Sequence, residues 1–333
     1  MRLACKFTVV EAPRSAFVTG GSGFIGSALI RRLAGEGWRV RALARSGTSA
    51  AAVEEAGAEA VRGDLADVGG IRDGATGCEV AFHLAARVGD AGRWHEFQEA
   101  TVQGTANTLA SCRAGGVRRF VHAGTEAALM EGQPLTNADE SWPLKPDSPA
   151  YYPRSKARAE QAVREASDPD FETVVVRPRF VWGPGDTTLL PAMVDMARRG
   201  RFAWIGGGRH LTSVTHVDNV VEGMLLAADR GRGGEAYFVT DGEPIVFRDI
   251  VTRLLATQGV PEPEREVPAS VARPLGAAAE SLWRILGLRS DPPLTRFAVW
   301  NSTLECTIDD SKARRELGYE PVVGTEEGLA ALG

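Results

Sequence analysis

From Ala16 onward the chain alternates short apolar runs with stretches of helical periodicity. The runs are Ala16–Thr19, Val40–Ala44, Ala58–Val61, Val80–Leu84, Phe120–Ala123 and Thr173–Val176, and helical patterns lie between them at Ile25–Leu33, Phe97–Arg113 and Tyr152–Glu165. Apolar runs with helices between them predict an α/β fold, a doubly wound parallel sheet covered on both faces. After Arg177 the rhythm changes. Gly183-Pro184-Gly185 and Gly206-Gly207-Gly208 mark loops. A helix near Val217 and a strand at Ala236–Val239 are expected to return to the main sheet. The organisation expected is therefore an extension over 1–14, a dinucleotide-type domain over 15–182 with sheet returns near 211–241, and a smaller interleaved C-terminal substrate lobe over 183–333. Within that lobe Pro268–Leu288 reads as an amphipathic helix, with Leu275, Leu282, Ile285 and Leu286 on its apolar side. Packing on the core or as a lid is the first expectation for that side, and loose membrane-surface contact the second.

Composition narrows the function classes. Hydrophobic residues make up 44% and charged residues 24% of 333, as in an ordinary globular enzyme. A net charge of -5 and no Lys/Arg run longer than two speak against a nucleic-acid partner. Cys5, Cys78, Cys112 and Cys306 form no Cys-x-x-Cys pair and the five histidines show no metal spacing, so free thiols and no metal are expected. The apolar run within the first fourteen residues is too short for a signal peptide or a membrane span, and no transmembrane segment is expected. The expected location is the cytoplasm.

Thr19-Gly20-Gly21-Ser22-Gly23-Phe24-Ile25-Gly26 follows a strand and opens a helix. Such a turn lets backbone approach a pyrophosphate with no Cβ in the way, and the helix N-terminus presents unpaired N–H groups and positive dipole charge. Gly20, Ser22, Gly23, Phe24, Ile25 and Gly26 are thus candidate cofactor contacts. The spacing Gly-x-x-Gly-x-x-Gly resembles that of the extended short-chain dehydrogenase/reductases, which implies a Rossmann sheet and hydride chemistry. Where an NAD-selective site places a carboxylate at the end of the second strand, this chain has Arg45, with Arg41 nearby. A guanidinium suits a 2′-phosphate, so NADP(H) is favoured over NAD(H). The resemblance adds cofactor contacts at Asp64 and Leu65 of Gly63-Asp64-Leu65, at Leu84, Ala85 and Ala86 of His83-Leu84-Ala85-Ala86, and at Pro178 and Val181. Thr101 stands where many relatives carry Asn, which leaves polar support there in question.

Tyr152 and Lys156 lie four apart, on one face of a helical segment. Reducing a carbonyl leaves an oxyanion needing a proton, and a phenol can deliver it. A free phenol titrates near 10, so a neighbouring ammonium and an oxidised nicotinamide are expected to lower it. Lys156 would also bind the nicotinamide ribose, which makes Tyr152 and Lys156 cofactor contacts as well as candidate catalytic groups. Thr125, at the end of the Arg119–Gly124 strand, is the third candidate, orienting the substrate oxygen. Tyr151 sits off the required face and is assigned to packing or substrate contact.

Arg177-Pro178-x-x-Val181-Trp182-Gly183-Pro184-Gly185, Thr215–Asn219, Gly234–Asp241 and Leu317–Pro321 are most similar to the 3β-hydroxysteroid dehydrogenase-like and dihydroflavonol reductase-like branch. That branch implies an apolar small-molecule substrate, steroid-like, β-keto or ring ketone, and allows a homodimer. Nucleotide-sugar epimerases of the same scaffold, with bound NAD, commonly carry Asn where this chain has Phe180. The dehydratases carry an acid pair after the catalytic Thr, whereas Thr125 is followed by Glu126 alone. A non-catalytic NADP(H) sensor would usually lose the Tyr or the Lys. Val88, Glu126, Phe180, Trp182 and Leu190 are the expected substrate contacts. His210 and His216 could face the site, and Asp218 or Asn219 is expected to cap a helix or tether the lobe.

Overall fold

Strand β1 (Ser15–Thr19) shows why both faces of the sheet must be covered. Its alternate side chains point to opposite faces, and all of its apolar ones are buried. Ala16 and Val18 join one core with Leu29, Ile30 and Leu33 of helix α1 (Phe24–Gly35) and with Val220, Val221 and Met224. Phe17 joins the other, with Ile71, Cys112, Phe120 and Val163. The computed structural model describes residues 14–89, 91–286, 288, 292 and 294–333, so the expected extension, Arg14 apart, lies outside the described residues.

Strands β1, β2 (Arg39–Ala44), β3 (Glu59–Arg62), β4 (Val80–His83) and β5 (Arg119–Ala123) join the strands Glu172–Pro178 and Ala236–Val239 in one seven-stranded sheet. The order is Ala236–Val239, Glu172–Pro178, β5, β4, β1, β2, β3, and every pairing is parallel. The order reverses between β1 and β4, the place where a doubly wound sheet opens a crevice at its carboxyl ends. Of the segment 211–241, only Ala236–Val239 enters the main sheet. Leu211–Thr212 pairs with Ile245–Val246 and Cys306–Ile308, and Thr215–His216 pairs with Val181–Trp182. The chain at 211–216 therefore builds the lobe, and the helix Val217–Arg230 packs on the main sheet.

Two further clusters fill the lobe. One gathers Trp182, Leu190, Trp204, Phe247 and Leu254; the other places Phe297, Leu304 and Cys306 against Ala127, Leu129 and Met130. The helix Ala269–Leu286 forms where expected but turns the other way. Leu275, Leu282, Ile285 and Leu286 are exposed. Its buried side is Ala272, Gly276 and Glu280, set against the helix Arg296–Thr303. The reason is a polar anchor: the Glu280 carboxylate accepts from the Arg296 backbone N–H at 2.9 Å, which fixes the small-residue side inward. Among the described residues no helix is long and apolar enough to cross a membrane.

Candidate active site

The glycine turn is built for close approach. Gly20 has φ +74°, and a Cβ there would lie 2.6 Å from the Ala85 backbone nitrogen; at Gly26 a Cβ would meet the Gly20 oxygen at 2.2 Å. Only glycine fits either place. Gly23 is the N-cap of α1 and offers no side-chain acceptor, which leaves the first N–H groups of the helix for another anion. These residues fit a dinucleotide pyrophosphate. Around them β1 and β4 end side by side: Thr19 Oγ1 lies 2.6 Å from His83 Nδ1, and the Leu84 backbone N–H donates to the Thr19 carbonyl. Leu84, Ala85 and Ala86 are half-buried beside the turn.

Asp64 is exposed after β3 and accepts from the Ala66 N–H, with Leu65 half-buried next to it. Thr101 does provide polar support, since its hydroxyl accepts from the Arg87 N–H at 3.1 Å. It lies in a π-helical turn, Gln98–Gln103, that interrupts the expected Phe97–Arg113 helix. Pro178 ends its strand in register with Val239 on one side, and Val181 follows one residue past the corner at Phe180.

At the second strand the two arginines separate. Arg41 is committed to the Gly74 and Thr76 carbonyls and to Glu59. Arg45 is exposed, directly before Ser46, which caps helix α2 (Gly47–Glu55).

The helix Tyr151–Glu165 carries Tyr152 and Lys156 to the end of β5. Lys156 Nζ donates to the Ala123 carbonyl at 2.6 Å. Burial draws its ammonium down to about 8, with the Glu160 carboxylate opposing. The Tyr152 ring packs on Phe297, centroids 5.4 Å apart. Its phenol is pushed above its ordinary value, first by burial and then by the Glu126 carboxylate, while a hydrogen bond with Thr125 works the other way. Here burial outweighs the charge of Lys156, whose ammonium donates to the Ala123 carbonyl; the lowering expected beside an oxidised nicotinamide concerns the cofactor-bound state. Tyr151 packs against Trp94 and Phe97, away from the pair.

Beneath Lys156, burial keeps two histidines neutral, with its ammonium adding to the effect. His83 is drawn down to about 3 and holds Thr19 and Thr105. His122 is held well below its ordinary value and stacks on His83 at 5.3 Å.

Thr125 Oγ1 donates to Glu126 Oε2 at 2.7 Å and accepts from the Ala127 N–H. Glu126 Oε1 in turn pairs with Arg179 Nη1 at 2.7 Å, and both side chains are nearly fully buried. Sequence reasoning passed over Arg179. Its signal was an arginine in the apolar corner Val174–Trp182, where a buried cation needs a partner.

The other expected substrate contacts diverge. Phe180 sits at φ +42°, half-buried, its ring edge-on to Phe247 at 5.8 Å. Val88 is 69% exposed after β4. Trp182 and Leu190 are core of the lobe instead of pocket wall. The Trp182 N–H is taken by Asp241 at 2.7 Å, its ring meets His216, and Leu190 is anchored through its backbone to Asp186. The cap of the Val217–Arg230 helix is the His216 ring, accepting from Asp218 N–H. Asn219 is the tether, joined to Asp241 and to the backbone of Val322 and Val323. Among the described residues no group of three His, Cys, Asp or Glu could hold a metal ion.

An open parallel sheet with a phosphate turn after its first strand and a Tyr–Lys helix over its crevice defines an extended short-chain dehydrogenase/reductase, a nicotinamide-dependent oxidoreductase. The chain belongs, within that class, to the 3-beta hydroxysteroid dehydrogenase/isomerase family, whose profile matches residues 17–269. It is 48% identical over 316 residues, 95% of each chain, to a 4-hydroxy-2-methyl-3-oxo-4-farnesyl-3,4-dihydroquinoline-1-oxide ketoreductase of Stigmatella aurantiaca. It is 38% identical to a 2-alkyl-3-oxoalkanoate reductase of Stenotrophomonas maltophilia, covering 95% of this chain and 97% of that one. Its fold superposes on a dTDP-glucose 4,6-dehydratase of Streptomyces venezuelae solved with NAD, at TM-score 0.74 and 26% identity over 95% of this chain and 94% of that one.

Proposed function

We propose that the protein is an NADP(H)-dependent ketoreductase that interconverts an apolar ketone and its secondary alcohol. The observation that carries this reading is the convergence of the Tyr152 phenol, the Thr125 hydroxyl and the Lys156 ammonium at the carboxyl end of β5. When bound, NADPH supplies the hydride that reduces the ketone carbon. Tyr152 gives its proton to the substrate oxygen as negative charge develops there. Lys156 stabilises the phenolate left behind, and Thr125 orients the oxygen. Oxidation of the alcohol uses the same groups in reverse.

The preference for NADP(H) is supported by Arg45, exposed beside the capped N-terminus of α2 with no carboxylate at that strand end. The apolar character of the substrate is supported by Phe180 and Phe247 on the lobe side and by the ketone substrates in the names of the two reductase relatives. The sugar-nucleotide reading is disfavoured by Phe180 in place of Asn and by a single acid, Glu126, already paired with Arg179.

The test is NADPH and NADH oxidation against a panel of apolar ketones and nucleotide sugars. Tyr152→Phe is expected to lower kcat by orders of magnitude with cofactor affinity kept, and Arg45→Asp to shift preference toward NADH. Near-wild-type turnover by Tyr152→Phe removes the phenol from the chemistry. Conversion of a nucleotide sugar with no net cofactor use moves the protein to the epimerase branch.

A further inference from the structure

Arg179 is 3% exposed, yet its guanidinium is only partly used. Nη1 donates to Glu126 Oε1 at 2.7 Å and to Asn301 Oδ1 at 3.1 Å. Nε and Nη2 are buried and find no acceptor. Three unmet N–H bonds, one on Nε and two on Nη2, are costly on a buried cation, because the solvation they lost is returned by nothing else in the protein. The same region holds a second orphan. His210 feels the Arg179 charge, which adds to burial in keeping its ring neutral, and its Nε2 is also buried without a partner. The His210 ring stacks on Phe247 at 5.1 Å, and Phe247 meets Phe180. The His210 N–H is spent on the Asn301 backbone, so the free donor capacity is the Nε/Nη2 edge of Arg179, and Glu126, which holds its other side, is the residue that accepts from Thr125. Arg179 stands one carboxylate's width from the hydroxyl expected to hold the reacting oxygen.

We propose that Arg179 binds an anionic oxygen of the substrate next to the ketone being reduced. The inference rests on the ketoreductase reading and makes it narrower: the substrate is an otherwise apolar ketone that carries a carboxylate or an N-oxide-type oxygen near the carbonyl. The guanidinium fork suits this task, since Nε and Nη2 lie on one edge and can donate in parallel to one or two oxygens. Glu126 positions that fork by holding Nη1. It also ties the subsite to Thr125, so that an oxygen on Arg179 and an oxygen on Thr125 are read together. Burial of Nε and Nη2 keeps water from the contact, which strengthens it. A simple ketone would leave these N–H groups unmet. That gives discrimination of the kind a buried unpaired donor enforces.

The experiment compares two substrate pairs: a 3-oxo acid with its methyl ester, and a cyclic ketone N-oxide with its deoxygenated parent. The wild type is expected to favour the anionic-oxygen member of at least one pair, through a lower KM. In Glu126→Gln/Arg179→Gln, which leaves no unpaired buried carboxylate, KM for that member should rise about ten- to hundredfold, the value of a hydrogen-bonded charge contact. The KM values of the two members should come within about twofold of each other, whatever the loss of Glu126 does to the common rate through Thr125 and Tyr152, and NADPH affinity, read by fluorescence titration, should be unchanged. Arg179→Lys, which keeps the charge without the fork, should recover only part of the loss. Whichever pair shows the preference identifies the oxygen. No preference in either pair, or an equal fall for both members in the double variant, overturns the inference and leaves Arg179 a structural partner of Glu126. If the wild type reduces no ketone, the ketoreductase reading itself fails. The subsite is then tested by calorimetry with a 3-hydroxy acid, where equal binding by wild type and double variant refutes it.

Discussion

Lys156 is a cation held where cations are disfavoured, and that sets a pH limit on the reaction. Burial brings its ammonium to about 8, against 10.5 for an ordinary lysine. The charged form exists below that value, and it is the charged form that stabilises the phenolate after Tyr152 has given up its proton. Reduction is therefore expected to slow as pH rises through about 8. The check is kcat against pH for wild type and Lys156→Arg. A guanidinium keeps its charge throughout, so the residual rate of Lys156→Arg should lack the falling limb. A limb that stays in place belongs to another group. His83 and His122 sit close enough to feel the same ammonium, and burial keeps both uncharged, so neither competes with Lys156 for the positive charge.

The helix that carries the pair is fixed by one buried ion pair. Arg177, on the strand Glu172–Pro178, donates through Nε to both oxygens of Glu160, at 3.0 and 3.1 Å, and through Nη2 as well; neither side chain is exposed. Glu160 is one helical turn past Lys156 and helps keep it protonated. Removing the cation alone strands a carboxylate in the core. Arg177→Met should cost about 3–5 kcal/mol in urea unfolding, and Arg177→Met/Glu160→Leu should regain most of it. Equal losses in the two variants would mean that the strand-to-helix contact is held by packing. The difference matters for the chemistry, because the double variant also removes the charge that supports Lys156 and should shift the falling limb of the pH profile to lower pH.

What could be read before the fold was known follows from range. The glycine turn and the Tyr152/Lys156 pair are local patterns, because a Cβ clash and a four-residue helical spacing are fixed within one segment. The alternation of apolar runs gave the sheet for the same reason. Arg179 meets Glu126 across fifty-three residues and Asn301 across one hundred and twenty-two. The orientation of Ala269–Leu286 depends on long-range hydrogen bonds between Arg296 and Glu280, Ala277 and Ser281 that override its apolar stripe. Trp182 looked like pocket lining because it follows Phe180 closely, but the strand pairing of Val181–Trp182 with Thr215–His216 turns it into the lobe.

That same pairing leads to the knot by which the lobe is tied to the sheet. Asp241, just past the strand Ala236–Val239, accepts from Trp182 Nε1, His216 N–H and Asn219 Nδ2, while Asn219 binds the backbone at 322–323. Burial raises the Asp241 carboxyl to about 6 from 3.8, with those three donors opposing. A carboxyl whose value is raised in the folded state takes up its proton earlier there than in the unfolded chain. Its contribution to stability is complete below about 4, where both states are protonated, and is lost as pH rises through about 6. The difference, 6 minus 3.8, corresponds to about 3 kcal/mol at most. Asp241→Asn cannot titrate, so unfolding free energies of wild type and variant should converge or cross between about pH 4 and 6, the wild type falling relative to the variant as pH rises. A constant difference across that range would mean that Asp241 is ionised throughout. The three donors would then outweigh burial, and the lobe would be tied to the sheet by a charge.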